Sequence, residues 1–235
     1  VTAQADADRS PGGAMCWSAK ADLVAGAGVL AVGVACVART RRPADLPLTA
    51  LPWLLGVHQI VESLVWAAGG GTGAATLTWA VVALPLLAVW VPAGVWCAAP
   101  PRARPRIAVL LSIGAVTAAA LVYALVAHPV TSEIRGHTVG YVVDVPYSPL
   151  VIVGYLVATV GSLLLSGDRG LLGLGILVTV GALVCWTLWE LEFVSTWCAV
   201  AAVSSVVLYF WVRGRDGEPG KRPYAGVAGG RSARP

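Results

Sequence analysis

Glu62 is the side chain in this sequence with the clearest chemical potential. It stands inside an apolar run, Leu51-Pro-Trp-Leu-Leu-Gly-Val-His-Gln-Ile-Val-Glu-Ser-Leu-Val-Trp66. His58, Glu62 and Trp66 recur at i, i+4 and i+8 and so share one helical face, with Gln59 beside them at i−3 from Glu62. One stripe thus carries a base, an acid, an amide and an indole. Removal from water favours the neutral form of a carboxylic acid, which makes Glu62 a candidate general acid and His58 its candidate partner. A second acidic group ends a later run, Cys185-Trp-Thr-Leu-Trp-Glu-Leu-Glu-Phe193. There Trp186 and Glu190 lie one turn apart on one face, and Trp189 and Glu192 lie on an adjacent one. Aromatic faces stabilise nearby cations and exclude the water that would quench them. An acid set among indoles therefore suits chemistry through a carbocation. The competing reading is that the Glu, His and Gln side chains are only hydrogen-bonded pins between helices.

The elements that must position these groups are membrane helices. Of 235 residues, 57% are apolar and 12% charged, against roughly 25% charged in soluble domains. Apolar runs long enough to cross ~30 Å of hydrocarbon recur at about 22–38, 48–68, 76–99, 107–128, 149–165, 171–190 and 194–211. They predict an all-α polytopic membrane protein, a seven-transmembrane-helix bundle. The breaks are Arg39–Pro43, the glycines from Gly69 to Gly73, Pro100–Arg106, the polar stretch 129–148, Ser166–Gly170 and Leu191–Phe193. Residues 1–20 are expected to be a flexible leader without a signal-peptide pattern, with Met15 a candidate start. Residues 21–212 form the membrane domain and 213–235 a basic, disordered cytoplasmic tail. Pro85 and Pro92 should kink the third span, and Gly26, Gly28, Gly33, Gly154 and Gly161 should admit close helix contacts. Thirteen Lys and Arg residues fall after the first, third and fifth spans and in the tail, whereas Arg9, Lys20 and Arg135 fall on the opposite side. The positive-inside rule then places the N-terminus outside and the C-terminus in the cytoplasm.

With that orientation the acids divide by depth. Asp22, Glu62, Glu133, Asp144, Glu190 and Glu192 fall in the external half or its loops, and Asp45 and Asp168 are expected to be solvated loop charges beside arginines. Trp66, Trp79, Trp186, Trp189, Trp197, Tyr123 and Tyr155 map to the layer of Glu62. With Gln59 and Asp22 they are the candidate lining of a site for a lipophilic substrate, although part of any such set serves as an interfacial belt. No metal centre, cofactor or nucleic-acid partner is expected. His58, His128 and His137 lack a paired metal-ligand spacing. There is no phosphate-binding Gly-x-x-x-x-Gly-Lys loop, Gly-x-Ser-x-Gly elbow or acidic metal-diphosphate cluster, and the five cysteines form no Cys-x-x-Cys pair.

The segments Met15-Cys-Trp-Ser-Ala-Lys-Ala-Asp-Leu-Val-Ala-Gly26, Leu51 to Glu62 and Thr196-Trp-Cys-Ala-Val-Ala-Ala-Val-Ser204 resemble a bacterial family of small seven-span membrane proteins that open Met-Cys-Phe-Ser. Trp17 replaces the phenylalanine. Similar actinobacterial proteins include membrane-bound terpene cyclases of indole-sesquiterpenoid pathways, of xiamycin and drimentine type. The resemblance implies metal-free cyclisation: an acid protonates an alkene or epoxide of a farnesyl-type chain, free or attached to an indole-containing acceptor, rings close through cations, and a base removes the last proton. It implies Glu62 as the first acid and Glu190 or Glu192 as the second. The alternative expectation is a non-enzymatic protein that binds lipid or isoprenoid, or couples its transport to protons. In either case the partners are a lipophilic prenylated molecule and membrane lipid.

Overall fold

Each apolar run read from the sequence is helical over its described residues, but for a residue or two at the run ends. The computed structural model describes residues 18–136, 138–188 and 193–216, with side chains described throughout except at 185–188, 193–198 and 216. The seven helices are α1 (Ala19–Arg39), α2 (Pro43–Ala67), α3 (Ala74–Ala98), α4 (Arg104–Ala127), α5 (Ser148–Leu164), α6 (Arg169–Leu188) and α7 (Phe193–Asp216). The first four are long and apolar enough to cross a bilayer, and α5 and residues Arg169–Val184 of α6 are shorter apolar helices. Large apolar side chains lie on the outside, among them Val24, Val116, Val126 and Leu150, each more than 70% exposed. In water that surface would aggregate; against lipid it is solvated. The chain is a multi-pass membrane protein.

Local chemistry sets the helix ends. Ser18 caps α1, its Oγ accepting the Ala21 N–H at 3.3 Å. At the other end the Thr40 hydroxyl donates to Cys36 O at 2.9 Å and lies 2.7 Å from Thr49 Oγ1, fastening the turn into α2. That helix opens with a 3-10 turn at Pro43–Asp45 and a single helical turn at Leu46–Thr49 before its long stretch, Leu51–Ala67. It closes with Gly69, at φ +74°, donating to Trp66 O and Gly70 donating to Val65 O. This paired 5→2 and 6→1 closure needs a left-handed residue, which glycine supplies without strain.

Pro85 lies in one turn of π-helix at Val82–Leu86, whereas Pro92 sits inside the regular helical stretch Leu87–Ala98. The Leu87 N–H reaches back to Val82 O rather than to Ala83. The Tyr155 hydroxyl donates to Ala83 O at 2.8 Å, so α5 satisfies a carbonyl displaced by the bulge. Tyr155→Phe should therefore cost about 1 kcal/mol in thermal unfolding while leaving helicity unchanged.

The fold departs from the all-α expectation in the stretch 129–148, read from the sequence as a polar connection. It contains an antiparallel hairpin, β1 (Thr131–Arg135) and β2 (Thr138–Val142), in which Ser132 pairs with Tyr141 and Arg135 with Thr138. Gly136 takes a positive φ of 63° at the turn, and the β-branched residues Thr131, Ile134, Thr138, Val139 and Val142 suit the strands. The protein is mostly helical rather than all-α.

The helices divide into two zones. Towards the arginine-rich ends, Leu48, Leu51, Leu54, Val95, Ile107, Leu163, Leu171 and Leu208 form a continuous apolar core. Towards the hairpin a smaller apolar cluster around Trp79, Ala80 and Val130 shares the interior with the buried polar side chains His58, Gln59, Glu62, Thr76 and Ser132. Helix α1 packs most extensively on α2, and α7 packs on α6, α1 and α2. The α1–α2 contact is glycine-mediated: a Cβ on Gly33 would come within 2.5 Å of Trp53 Cα, and one on Gly56 would fall 2.5 Å from Leu30 N. Gly26 and Gly154 also sit at close contacts. Gly28, expected among them, has nothing within 4 Å, and Gly161 makes only ordinary contact with Leu110.

Candidate functional site

The polar zone begins on α2. His58, Gln59 and Glu62 are 8%, 2% and 1% exposed, so the stripe anticipated from the i, i+4 spacing faces the interior. A carboxyl group this deep in an apolar helix needs protein surroundings that replace water. His58 Nε2 lies 3.3 Å from Trp79 O, and its ring centroid is 5.1 Å from that of Trp79. Trp79 also stacks on Tyr141, with centroids 3.5 Å apart and rings 6° from parallel. Helices α2 and α3 and strand β2 thus bring together a stacked indole and phenol and a tilted imidazole, the last one turn of α2 away from Glu62.

The hairpin is fixed over this layer by its backbone. Gly71 and Ser132 exchange N–H···O bonds of 2.8 and 3.1 Å, and the buried Thr76 and Ser132 hydroxyls are 3.0 Å apart. The glycine run that ends α2 is therefore also the ledge on which β1 rests. The buried indole N–H of Trp79 has no hydrogen-bond partner among the described residues.

Asp22 and Trp66, both candidates for the lining, meet each other: the Trp66 Nε1–H donates to Asp22 Oδ2 at 2.8 Å, and Asp22 is 4% exposed. This contact joins α1 to α2. Tyr155 belongs to the α3 bulge, and Tyr123 is 66% exposed on the outside of α4. Neither carries a described contact to the His58–Trp79–Tyr141 group. Glu190, Glu192 and Trp189 lie outside the described residues, as do the side chains of Trp186 and Trp197, so the second acid has no described position. His128 Nδ1 is 3.7 Å from Asp144 Oδ2 at the mouth of α4. Among the described residues no three His, Cys, Asp or Glu side chains gather as a metal-ligand set.

Tyr141 and Ser132 were missed by sequence reasoning. The signal available was the strand-like composition of residues 138–142. The acids at the opposite end also differ from expectation. Asp45 is 2% exposed, not solvated; its Oδ2 lies 2.9 Å from Arg215 Nε, and Arg215 Nη1 donates to Asp168 Oδ2 at 2.9 Å. Asp168 Oδ1 accepts from the Gly170 and Leu171 N–H groups at the start of α6 and from Trp211 Nε1. The 3-10 turn at Pro43–Asp45 and the loop 166–168 lie against the end of α7, which buries the Asp45 carboxylate and leaves that of Asp168 partly exposed.

A family model described as a family of unknown function, DUF6629, matches residues 15–222. The chain belongs to this family. No curated protein and no solved structure matches it. The matched DUF6629 region contains both the polar layer and the Arg215 clasp.

Proposed function

We propose that this DUF6629 protein is a membrane-bound cyclase of prenyl chains, in which Glu62 supplies the proton that starts the reaction. The reading is carried by one observation: a glutamate 1% exposed, on the same α2 face as a histidine held against a stacked Trp79–Tyr141 pair. The resemblance of the segments from Met15, Leu51 and Thr196 to the small seven-span family that includes membrane-bound terpene cyclases supports it. Proton transfer from the Glu62 carboxyl to a terminal alkene or epoxide oxygen creates a cation. Ring closure moves that cation along the chain, and loss of a proton at the end makes the overall change an isomerisation, with no metal or cofactor in the scheme. Trp79 and Tyr141 shield the cation from water. Glu190 or Glu192 takes the terminal proton. In this scheme the chain crosses the membrane seven times, with the hairpin external and the arginine-rich ends cytoplasmic.

Glu62 is covered in this structure, so a substrate reaches it through rearrangement of the groups above it. Membranes containing the protein, incubated with farnesylated indoles and with their epoxides, should yield a cyclised isomer separable by chromatography. Glu62→Gln should abolish that product at unchanged protein level. Full activity in this variant removes Glu62 as the donor.

A second reading, lipid binding without turnover, is favoured by a groove of about 290 Å³ between α1 and α2, lined by Lys20, Leu23, Ile60, Ser63 and Leu64. Its apolar walls and single ammonium suit an amphiphile with an acidic head. Mass spectrometry of extracts from the purified protein separates the two: a cyclised product indicates turnover, and an unaltered amphiphile indicates binding.

A further inference from the structure

At the arginine-rich end, two guanidinium groups share one ring. Arg39, the last residue of α1, and Arg213, in the last turn of α7, have their guanidinium carbons 5.5 and 5.9 Å from the ring centroid of Tyr209. Both arginines are exposed, and no carboxylate among the described side chains pairs with either. The acids of the neighbouring loops are already engaged: Asp45 and Asp168 each lie 2.9 Å from Arg215. Two like charges held on one aromatic side chain repel each other, and the modest cation–π attraction of exposed pairs offsets this only in part. An anion between them would remove the repulsion, and guanidinium is the side chain best shaped to bind phosphate oxygens in pairs.

The position of the pair indicates where that anion comes from. In the seven-span scheme proposed above, Arg39 and Arg213 stand where α1 and α7 leave the bilayer, at the depth of lipid headgroups. Below Arg39 the same α1 face carries Ala35 and Val32, and below Tyr209 the same α7 face carries Val206 and Ala202, by i−4 and i−7 or i−3 and i−7 spacing. Val206 is 44% exposed, and Val32, Ala35 and Ala202 are half-buried. The seam beneath the two charges is thus lined by short apolar side chains.

We infer that Arg39, Tyr209 and Arg213 form a site for an anionic glycerophospholipid, its phosphodiester held between the guanidinium groups and one acyl chain along the α1–α7 seam. The site lies at the end of the bundle opposite Glu62 and does not depend on what happens there.

The test uses the full chain in nanodiscs of mixed phosphatidylglycerol and phosphatidylcholine, with the lipid that remains bound after mild detergent extraction counted by mass spectrometry. Wild type should retain phosphatidylglycerol preferentially. A basic residue at a membrane surface changes binding of anionic lipid roughly fivefold, so Arg39→Gln with Arg213→Gln should lower the preference by roughly 25-fold. Arg39→Lys with Arg213→Lys should keep most of it. Arg104→Gln should leave it unchanged, because Arg104 sits alone over Trp96. If the double glutamine variant does not reach the membrane, Arg213→Gln alone carries the test, with a roughly fivefold loss expected. Equal retention of the two lipids by wild type, or an unchanged preference in the glutamine variants, overturns the proposal. Displacement of the lipid by millimolar glycerol phosphate also overturns it, since the site would then belong to a soluble phosphate.

Discussion

Replacing Arg215 with methionine is expected to destabilise the protein by about 3–5 kcal/mol, the usual consequence of removing one partner from a buried ion pair. Arg215 is the only described cation within 3 Å of Asp45, and Asp45 is 2% exposed. The Nε–Oδ2 separation of 2.9 Å is an ion pair without in-line hydrogen-bond geometry, and Asp45 Oδ1 has no hydrogen-bond partner among the described residues. The guanidinium is therefore the main compensation for a desolvated carboxylate. Arg42, 3.9 Å away with its side chain 57% exposed, is a weak substitute. Asp168 loses less, because Trp211 and the first N–H groups of α6 still bind it. Methionine keeps much of the volume that packs over Trp211, where the guanidinium lies 4.7 Å from the ring centroid. The loss is then chiefly electrostatic. Adding Asp45→Asn to Arg215→Met should recover part of the stability, by removing the stranded charge. Thermal unfolding in one detergent measures all three variants. Equal destabilisation of the single and double variants would mean that packing, not the uncompensated carboxylate, is at work.

That clasp also shows where sequence reasoning stopped. Asp45 and Asp168 each stand beside arginines in short loops, a pattern that reads as solvated charge. Their common partner comes from the last turn of α7, a tertiary relation no local spacing encodes. The helices were legible because a bilayer demands long apolar runs and hydropathy reports these without knowledge of packing. The His58–Gln59–Glu62 stripe was legible because helical spacing alone puts those residues on one face. Its surroundings were not. Trp79 could be named as one aromatic among several, but its partner Tyr141 lies on a five-residue strand inside a stretch that polar residues, glycines and prolines break up. Strands that short give little alternation to detect. The π turn was visible only as Pro85, since the carbonyl register that brings in Tyr155 is a property of two helices together.

Gly33 and Gly28 lie on the same helix and give opposite predictions. Gly28→Ala should be neutral or stabilising by about 0.5–1 kcal/mol, because nothing lies within 4 Å of the added methyl group and alanine restricts the unfolded backbone. Gly33→Ala should destabilise by about 3 kcal/mol, the upper end of ordinary overpacking. The atoms its Cβ would meet are Trp53 N, Cα and Cβ. The main-chain atoms cannot rotate away as a flexible side chain could, so relief requires α1 to separate from α2. Separation spreads along the interface. Gly26 and Gly56 lose their close contact, and the 2.8 Å Trp66–Asp22 hydrogen bond is stretched at the far end. Once the helices have parted, a second methyl group at Gly56 meets less resistance, so Gly33→Ala with Gly56→Ala should cost less than the sum of the single changes. Unfolding midpoints of the four variants in one detergent provide the comparison. If Gly33→Ala behaves like Gly28→Ala, backbone contact at Gly33 is not what sets the spacing of α1 and α2.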